Sequence, residues 1–502
     1  MSSIQSRWTY LHGGRQGVLR RARDAAALTI PSLLPQEGHN ESSELPQPYQ
    51  SLGARGVNNL SSKLLLALMP PSTSFFRLKM DEDVREEMGA KRADAEEALR
   101  RIESRVSGSI EKSNLRTVMH MSLKHMIVTG NALLYMPKSG RNRMFPLDRY
   151  CVTRSADGRV VEIVIKETLN PMTLPMEVQV ACQCQEGSEA TKERRDVDVY
   201  TIVELVEEKH VYRQEINDLK VPGSDGESPE GVSPFLPMRW TAVSNEDYGR
   251  GHVEEYTGDL RSLEGLSMAI VSFAAAAARI VPILSPNSAM DIDDLMQPSG
   301  TVIIGNRDDV SILQLEKFND FQVSKAVIDD LSLRLSHAFL MSSGTVRNAE
   351  RVTAEEIRLQ AQELEDVLGG VYTVQSQETQ LPIVNRQMHI LTQAGKIVKL
   401  PGVSPSIVTG FEALGRGHEL NKLRAYFSDA LNMFGEAAMQ YFRTDTGLKM
   451  LATSHNVDVE DLIKTAEEIA AEQQQAQMAA MMEKAAGPLA GAAGKAMTTT
   501  EE

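Results

Sequence analysis

Several residue groups in this chain could in principle carry chemistry. Gly395-Lys396 and Gly494-Lys495 offer the glycine–lysine pair of a phosphate-cradling loop. Ile397 and Ala496 stand where a magnesium-binding Ser or Thr is needed, and neither pair has a glycine five residues earlier. Gly249-Arg250-Gly251 and Gly415-Arg416-Gly417 lack the third glycine of a dinucleotide fingerprint, with Glu254 and Leu420 in its place. There is no Gly-x-Ser-x-Gly elbow and no His-Glu-x-x-His pair. Cys182-Gln-Cys184 lacks the second ligand pair and the nearby histidine of a structural zinc site, so free thiols are expected. Asp291, Asp293 and Asp294 could hold a cation, but acidic residues in a first helical turn also offset the macrodipole and cap free N–H groups. No catalytic residue, metal or cofactor is expected, and an ATPase or nuclease is disfavoured.

Charged residues on long helices are the stronger signal. Val253, Tyr256, Leu260, Leu263, Leu266, Ile270, Phe273 and Ala277 fall at steps of three and four. They predict one continuous helix of about thirty residues over 246–281. Its other face carries Glu254, Glu255, Asp259 and Glu264 against Arg261. An acidic helix with a narrow apolar seam suits a stave packed against identical neighbours. Phe318, Phe321, Ile328, Leu331, Leu335 and Phe339 predict a returning helix.

After Met341 the helical pattern breaks. It resumes at Thr353, which with Glu356 forms a capping box. Ile357, Ala361, Leu364, Leu368 and Val371 carry the apolar face of this helix, Gly369-Gly370 weaken it, and Pro382 predicts a kink.

The first 245 residues read as an α+β unit. Residues 1–80 are mainly helical and broken by prolines, and 81–112 predict a solvated charged helix with Glu87–Lys91, Glu96–Arg100 and Glu97–Arg101 pairs. A helix over Leu115–Val128 and a strand over Ala132–Met136 follow. From Tyr150 the period changes to short strands (Val152, Val160–Ile165, Val197–Val206, Val211-Tyr212), with a hairpin signal at Asp157-Gly158 and an exposed polar insertion at 186–196. Residues 455–486 predict a high-propensity helix.

Charge and composition narrow the partners. A net charge of −15 offers no broad basic face of the kind that grips phosphates. An acidic surface suits a conduit through which DNA slides, and it also serves plain solubility. Three cysteines cannot build a disulfide framework, which favours a reducing compartment. No secretory signal is read in the Arg-rich first thirty residues. The most apolar window, 269–284, contains Arg279 and Pro282, so no membrane span is expected.

The stretch 246–281 resembles the stem helix of portal (head-to-tail connector) proteins from short-tailed, autographivirus-type phages. Leu28-Thr29-Ile30-Pro31-Ser32-Leu33-Leu34-Pro35 is similar to the same family's amino-terminal motif, and so is Gly53-Ala54-Arg55-Gly56-Val57-Asn58-Asn59-Leu60 with its continuation to Pro70. Thr129–Tyr135, Glu350–Arg358 with its continuation to Pro382, and Gly410–Gly417 complete the match in the family's order.

The resemblance implies a mainly α, α+β portal fold assembling into a ring. It places a wing at 1–245, a stem helix at 246–280, a clip at 281–315 and a second stem helix at 316–340. A channel loop at 341–351, a kinked long helix returning to the wing at 352–425 and a helical crown at 426–486 follow, while the low-complexity Ala/Gly/Thr composition after Gly487-Pro488 predicts a disordered tail at 487–502. The ring would hold about twelve copies at one capsid vertex of the virion, assembled in the bacterial host cytoplasm. It would nucleate the head, admit double-stranded DNA driven by a separate terminase large subunit, and release it through the tail. Major capsid and scaffold proteins, tail adaptor or nozzle proteins and internal core proteins are the implied further partners. A tail adaptor or internal scaffold is the other non-enzymatic reading, and it suits a solitary bundle or rod better than this order of elements.

In the channel loop Arg347 and Arg351, with Asn348 between them, would touch DNA phosphate, or the two arginines would pair with acids such as Glu350 or Glu355. Glu254, Glu255, Asp259 and Glu264 would face the channel as rings of negative charge.

Overall fold

The computed structural model describes residues 3–40, 42–70, 74–87, 92–170, 172, 176, 196–277, 281–286, 310–313, 318–341, 370–398, 402–408, 426, 428–435 and 478. The chain divides into two compact units, 1–413 and 414–502.

The first unit opens with α1 (Ile4–Gly14) and α2 (Gln16–Ala27), then α3 (Leu52–Leu68). On α3 the buried residues are Gly53, Gly56, Val57, Leu60, Ser61, Leu64, Ala67 and Leu68, a single helical face that the 3.6-residue period dictates. β1 (Phe76–Met80) follows, an element that sequence periodicity missed in a stretch read as helical. The expected charged helix over 81–112 is two helices, α4 (Glu82–Glu87) and α5 (Arg92–Lys112). It is also not wholly solvated: Leu99, Val106 and Ile110, at steps of seven and four, bury one face of α5. Of the expected pairs, Glu97–Arg101 closes at 3.0 Å on the exposed side, worth a few tenths of a kcal/mol. α6 (Leu115–Thr129) is buried nearly all round and is the axis of the core.

A three-stranded sheet packs against it, and a larger sheet adjoins that one. β2 (Asn131–Tyr135) pairs antiparallel with β3 (Arg143–Phe145) and with β10 (Phe235–Arg239). The larger sheet runs β4 (Tyr150–Arg154), β5 (Val160–Leu169), β6 (Val197–Val206), β7 (Lys209–Ile216) and β8 (Leu219–Lys220), all antiparallel, with β9 (Gly226–Pro229) also on β7. Period-2 alternation explains its double burial. Ile163 and Ile165 point into the main core with Val152 and Val203. Val164 points the other way, to a second core with Cys151, Tyr200, Ile202 and the α1 residues Ile4 and Trp8. Arg7 locks α1 down by a bidentate pair with Glu162. The β4 edge is covered by side chains: the Tyr248 hydroxyl accepts the Val152 N–H at 3.1 Å and Asp247 accepts that of Arg154 at 2.6 Å.

The expected single helix over 246–281 is α7 (His252–Glu255) and α8 (Thr257–Ala277), interrupted at Tyr256. Tyr256 sits at φ −107°, ψ 12°, its N–H closing a short turn onto Val253 and its ring turned onto His252 and Phe339. The apolar stripe survives this break because Tyr256 still falls on it. β11 (Val281–Leu284) pairs antiparallel with β12 (Val310–Leu313), and α9 (Phe318–Ala338) returns along α8. The expected kink at Pro382 takes the form of a π-helical turn, Ser376–Gln380, directly before α10 (Leu381–Gln393), where proline fits the first turn. β13 (Val403–Ile407) closes the unit against β1.

The π turn and its flanks send polar side chains to Arg239 and Leu68. Gln375 donates to the Arg239 carbonyl at 2.7 Å, Glu378 receives the Arg239 guanidinium, and Gln380 donates to the Leu68 carbonyl at 2.7 Å. In the second unit the described residues are helical at Tyr426, over 428–434 and at Met478.

Candidate functional site

The antiparallel pair α8/α9 is the candidate site, and its register follows from its contacts. His252 and Tyr256 meet Phe339, Asp259 lies 3.9 Å from Arg334, and β11 pairs with β12 beyond the far ends. Leu260 and Leu263 are buried with Leu331 and Leu335 near the core. Farther out the pair loses cover. Met268 and Val271 on α8, and Val323 and Val327 on α9, are 44–66% exposed. An apolar surface of this kind on two long helices needs a partner.

The foot of the pair is closely packed and held by side-chain hydrogen bonds. Gly56 lies under the Phe339 ring, and a Cβ at Gly56 would come within 2.5 Å of it. Three carbonyls at the end of α9 are each capped by a side chain from elsewhere: His252 Nε2 donates to Ala338 at 3.0 Å, Asn59 Nδ2 to Phe339 and Leu340 at 3.0 Å each, and Lys63 Nζ to Leu340 at 2.7 Å. The Lys63 charge also complements the negative helix C-terminus. Met341 N–H reaches back to Ser336 and Leu340 N–H to His337, the double bond of a Schellman motif, with Leu340 at φ 54° where glycine is usual. The motif Gly53–Lys63 is therefore a socket for the end of α9. Burial pushes the His252 pKa down against the pull of its bond to Ala338, keeping the ring neutral.

Two other motifs meet beside this foot. Gly130, at φ 79°, and Gly249–Gly251 cross backbone to backbone, so that a Cβ on Gly130 would lie 2.6 Å from the Gly249 carbonyl oxygen. Asn131 clasps the crossing by donating to the Gly249 carbonyl at 2.9 Å and accepting its N–H at 2.8 Å. The Gly-Arg-Gly triplet is thus a close-approach site for the chain itself. Spacing alone could not reveal this, because its partner lies more than a hundred residues away.

The four acids of α7 and α8 differ in their commitments. Glu254 accepts from Arg250 at 2.6 Å and lies 3.1 Å from Arg21; bonds from Glu246, then Glu254, push the Arg250 pKa up. Glu264 accepts the backbone N–H groups of Tyr49 at 2.9 Å and Gln50 at 3.2 Å, tying the approach to α3 onto α8. Asp259 faces Arg334, which also reaches Asp330 at 3.2 Å. Glu255 is exposed. Arg261 pairs with Asp24 at 2.9 Å rather than with the helix acids. Arg347, Asn348 and Arg351 lie outside the described residues, as do Cys182, Cys184, Asp291, Asp293, Asp294 and Thr353. Cys151 is a buried free thiol, its pKa raised by burial to about 11. Among the described residues no His, Cys, Asp and Glu cluster suits a metal ion, and no helix is long and apolar enough to cross a membrane.

The sequence compares closely with known proteins. A family model described as "Bacteriophage head to tail connecting protein" matches residues 1–463. The portal protein of Enterobacteria phage T3 is 41% identical over 430 residues, covering 83% of this chain and 80% of the relative. That of Escherichia phage T7 is 37% identical over 501 residues, 96% and 92% respectively, and that of Enterobacteria phage SP6 is 34% identical over 427 residues, 84% and 82%. With a match that runs through both the stem pair and its socket, the chain belongs to the bacteriophage head-to-tail connecting, or portal, protein family.

Proposed function

We propose that this chain forms a closed ring of about twelve copies at one capsid vertex and serves as the conduit for the phage genome. The uncovered apolar surface of α8 and α9 carries this reading, because one chain cannot bury it and an identical neighbour can. The ring admits double-stranded DNA pushed by a separate terminase large subunit, nucleates the head with major capsid and scaffold proteins, and passes DNA to tail adaptor or nozzle proteins. Internal core proteins sit above it. Assembly takes place in the host cytoplasm, and the chain itself catalyses nothing.

In this reading α7 and α8 line the tunnel, and exposed Glu255 is the least committed of their acids, since Asp259 faces Arg334 and Glu254 and Glu264 are engaged within the chain. Repulsion from all sides centres the duplex and keeps each contact weak. Arg347 and Arg351, with Asn348, form the phosphate clamp in the loop at 341–351. The test is Arg347→Ala with Arg351→Ala. Rings and heads should form while packaged genomes leak, and normal genome retention in the double variant would reject the clamp.

A further inference from the structure

The β2–β3 hairpin carries Lys138, Arg141 and Arg143 with no acid anywhere in 137–147, in a chain of net charge −15. Its base is fixed. Asn114 donates to the Asn142 carbonyl at 2.9 Å and accepts the Asn142 N–H at 3.0 Å. Arg143 pairs with Glu167 at 2.9 Å and lies over the rings of Tyr135 and Phe145. Lys138 and Arg141, both exposed at the tip, pair with no carboxylate among the described residues. The hairpin therefore holds out two uncommitted cations on a pinned support.

The opposite end of the neighbouring sheet is its complement. A cavity of about 390 Å³ opens at the β4–β5 turn, lined by Arg154, Ser155, Ala156, Asp157, Arg239 and Asp247 among others. Its two arginines are saturated from within the chain. Arg154 donates to the carbonyls of Asp247, Gly158 and Pro237 at 2.9–3.2 Å, and Arg239 is held by Glu378. Asp157, Glu246 and Asp247 line the cavity; at its edge Arg159 pairs with Glu230, whose N–H bonds to the carbonyl of Glu208 in the exposed β6–β7 turn at 2.9 Å. β5 links the two ends: the cavity lies before its first residue, and Glu167, which holds Arg143, lies near its last. At ~3.3 Å per residue the two features are about 30 Å apart, so they do not meet within one chain.

We propose that the tip of this hairpin, Lys138–Arg141, docks in the acidic-rimmed cavity of the next copy in the ring. The contact rests on the ring reading above and supplies what that reading lacks in the wing, a head-to-tail pair of unlike surfaces. Copies that each carry −15 repel one another, and a cationic patch set against an anionic one across the interface offsets that repulsion. DNA would also attract these cations, but it gives no account of the acidic cavity at the other end of the same sheet.

Charge exchange tests this on the full chain, with assembly followed by native mass spectrometry across a dilution series. Lys138→Glu with Arg141→Glu, and separately Asp157→Lys with Glu208→Lys, should each raise the concentration of half-assembly by about tenfold or more. All four together should return it towards the unaltered value. Ala156→Trp, which fills the cavity without changing charge, should also weaken assembly, and far-ultraviolet melting of each variant checks that the fold is retained. Rings that form as readily in all variants, or no recovery on combining them, would overturn the contact. Unchanged rings with lost salt-dependent binding of duplex DNA to the hairpin variant would reassign the cations to phosphate and equally overturn it. A chain that forms no ring even unaltered would sink both this contact and the ring reading.

Discussion

Gly56 and Phe339 are the most tightly coupled residues in the socket, because the ring occupies the space that any Cβ would need. Gly56→Ala should cost about 1–3 kcal/mol by overpacking, while Phe339→Ala should cost about 3–5 kcal/mol through lost burial. In the double variant the alanine at position 56 has room, so urea unfolding should show the two penalties falling short of their sum by about 1 kcal/mol or more. Strict additivity would show that the contact is not formed. His125 makes a different prediction. It is buried in α6 with its Nδ1 unpaired, and burial lowers its pKa to about 4. The folded state therefore accepts only the neutral ring. Stability is full above pH ~6.5 and falls as the pH drops towards 4, where the unfolded chain binds a proton that the folded chain refuses, a loss of up to about 3 kcal/mol. Burial lowers His252 and His210 in the same direction. His125→Leu should flatten the urea midpoint between pH 6.5 and 4, and an unchanged slope would mean that the acid sensitivity lies elsewhere.

The long elements were readable from periodicity, and each place where that reading failed has its own physical cause. Steps of three and four located α8 and α9, and period-2 runs located β4 to β7. The break at Tyr256 was hidden because an interrupted helix keeps the same stripe when the interrupting residue lies on it. The engagement of Glu264 by Tyr49 and Gln50 was hidden because a carboxylate's partner more than two hundred residues away leaves no local trace. β1 went unread since its alternation spans only five residues. One element departs from its local rule. The two-residue β6–β7 turn places Glu207 at φ 46° and Glu208 at φ 64°, where Asn-Gly is strongly preferred. Replacing the pair by Asn-Gly should raise stability by about 1–2 kcal/mol, read as a higher thermal midpoint. No gain would mean that the turn is not strained. If the hairpin–cavity contact holds, the same change should also weaken ring assembly.

For the molecule as a whole, the socket and the stem serve opposite ends. Near the core, Asn59, Lys63, His252 and Phe339 fix where α9 ends, and the double-sided sheet fixes the body against which it is held. Farther out, the two helices expose apolar side chains that the single chain leaves uncovered. Rigid footing with an unfinished outer face is what a stave needs, and it explains why the sequence combines a strongly negative net charge with exposed valine, leucine and methionine on its longest helices. Electron cryomicroscopy of the purified full-length chain at micromolar concentration tests this most directly. The expected image is a closed ring of about twelve copies with an axial opening, α8 on its wall, and Met268, Val271, Val323 and Val327 covered by the neighbouring copy. Monomers, dimers or open rods, or rings with the α8/α9 pair on the outer rim, would contradict it.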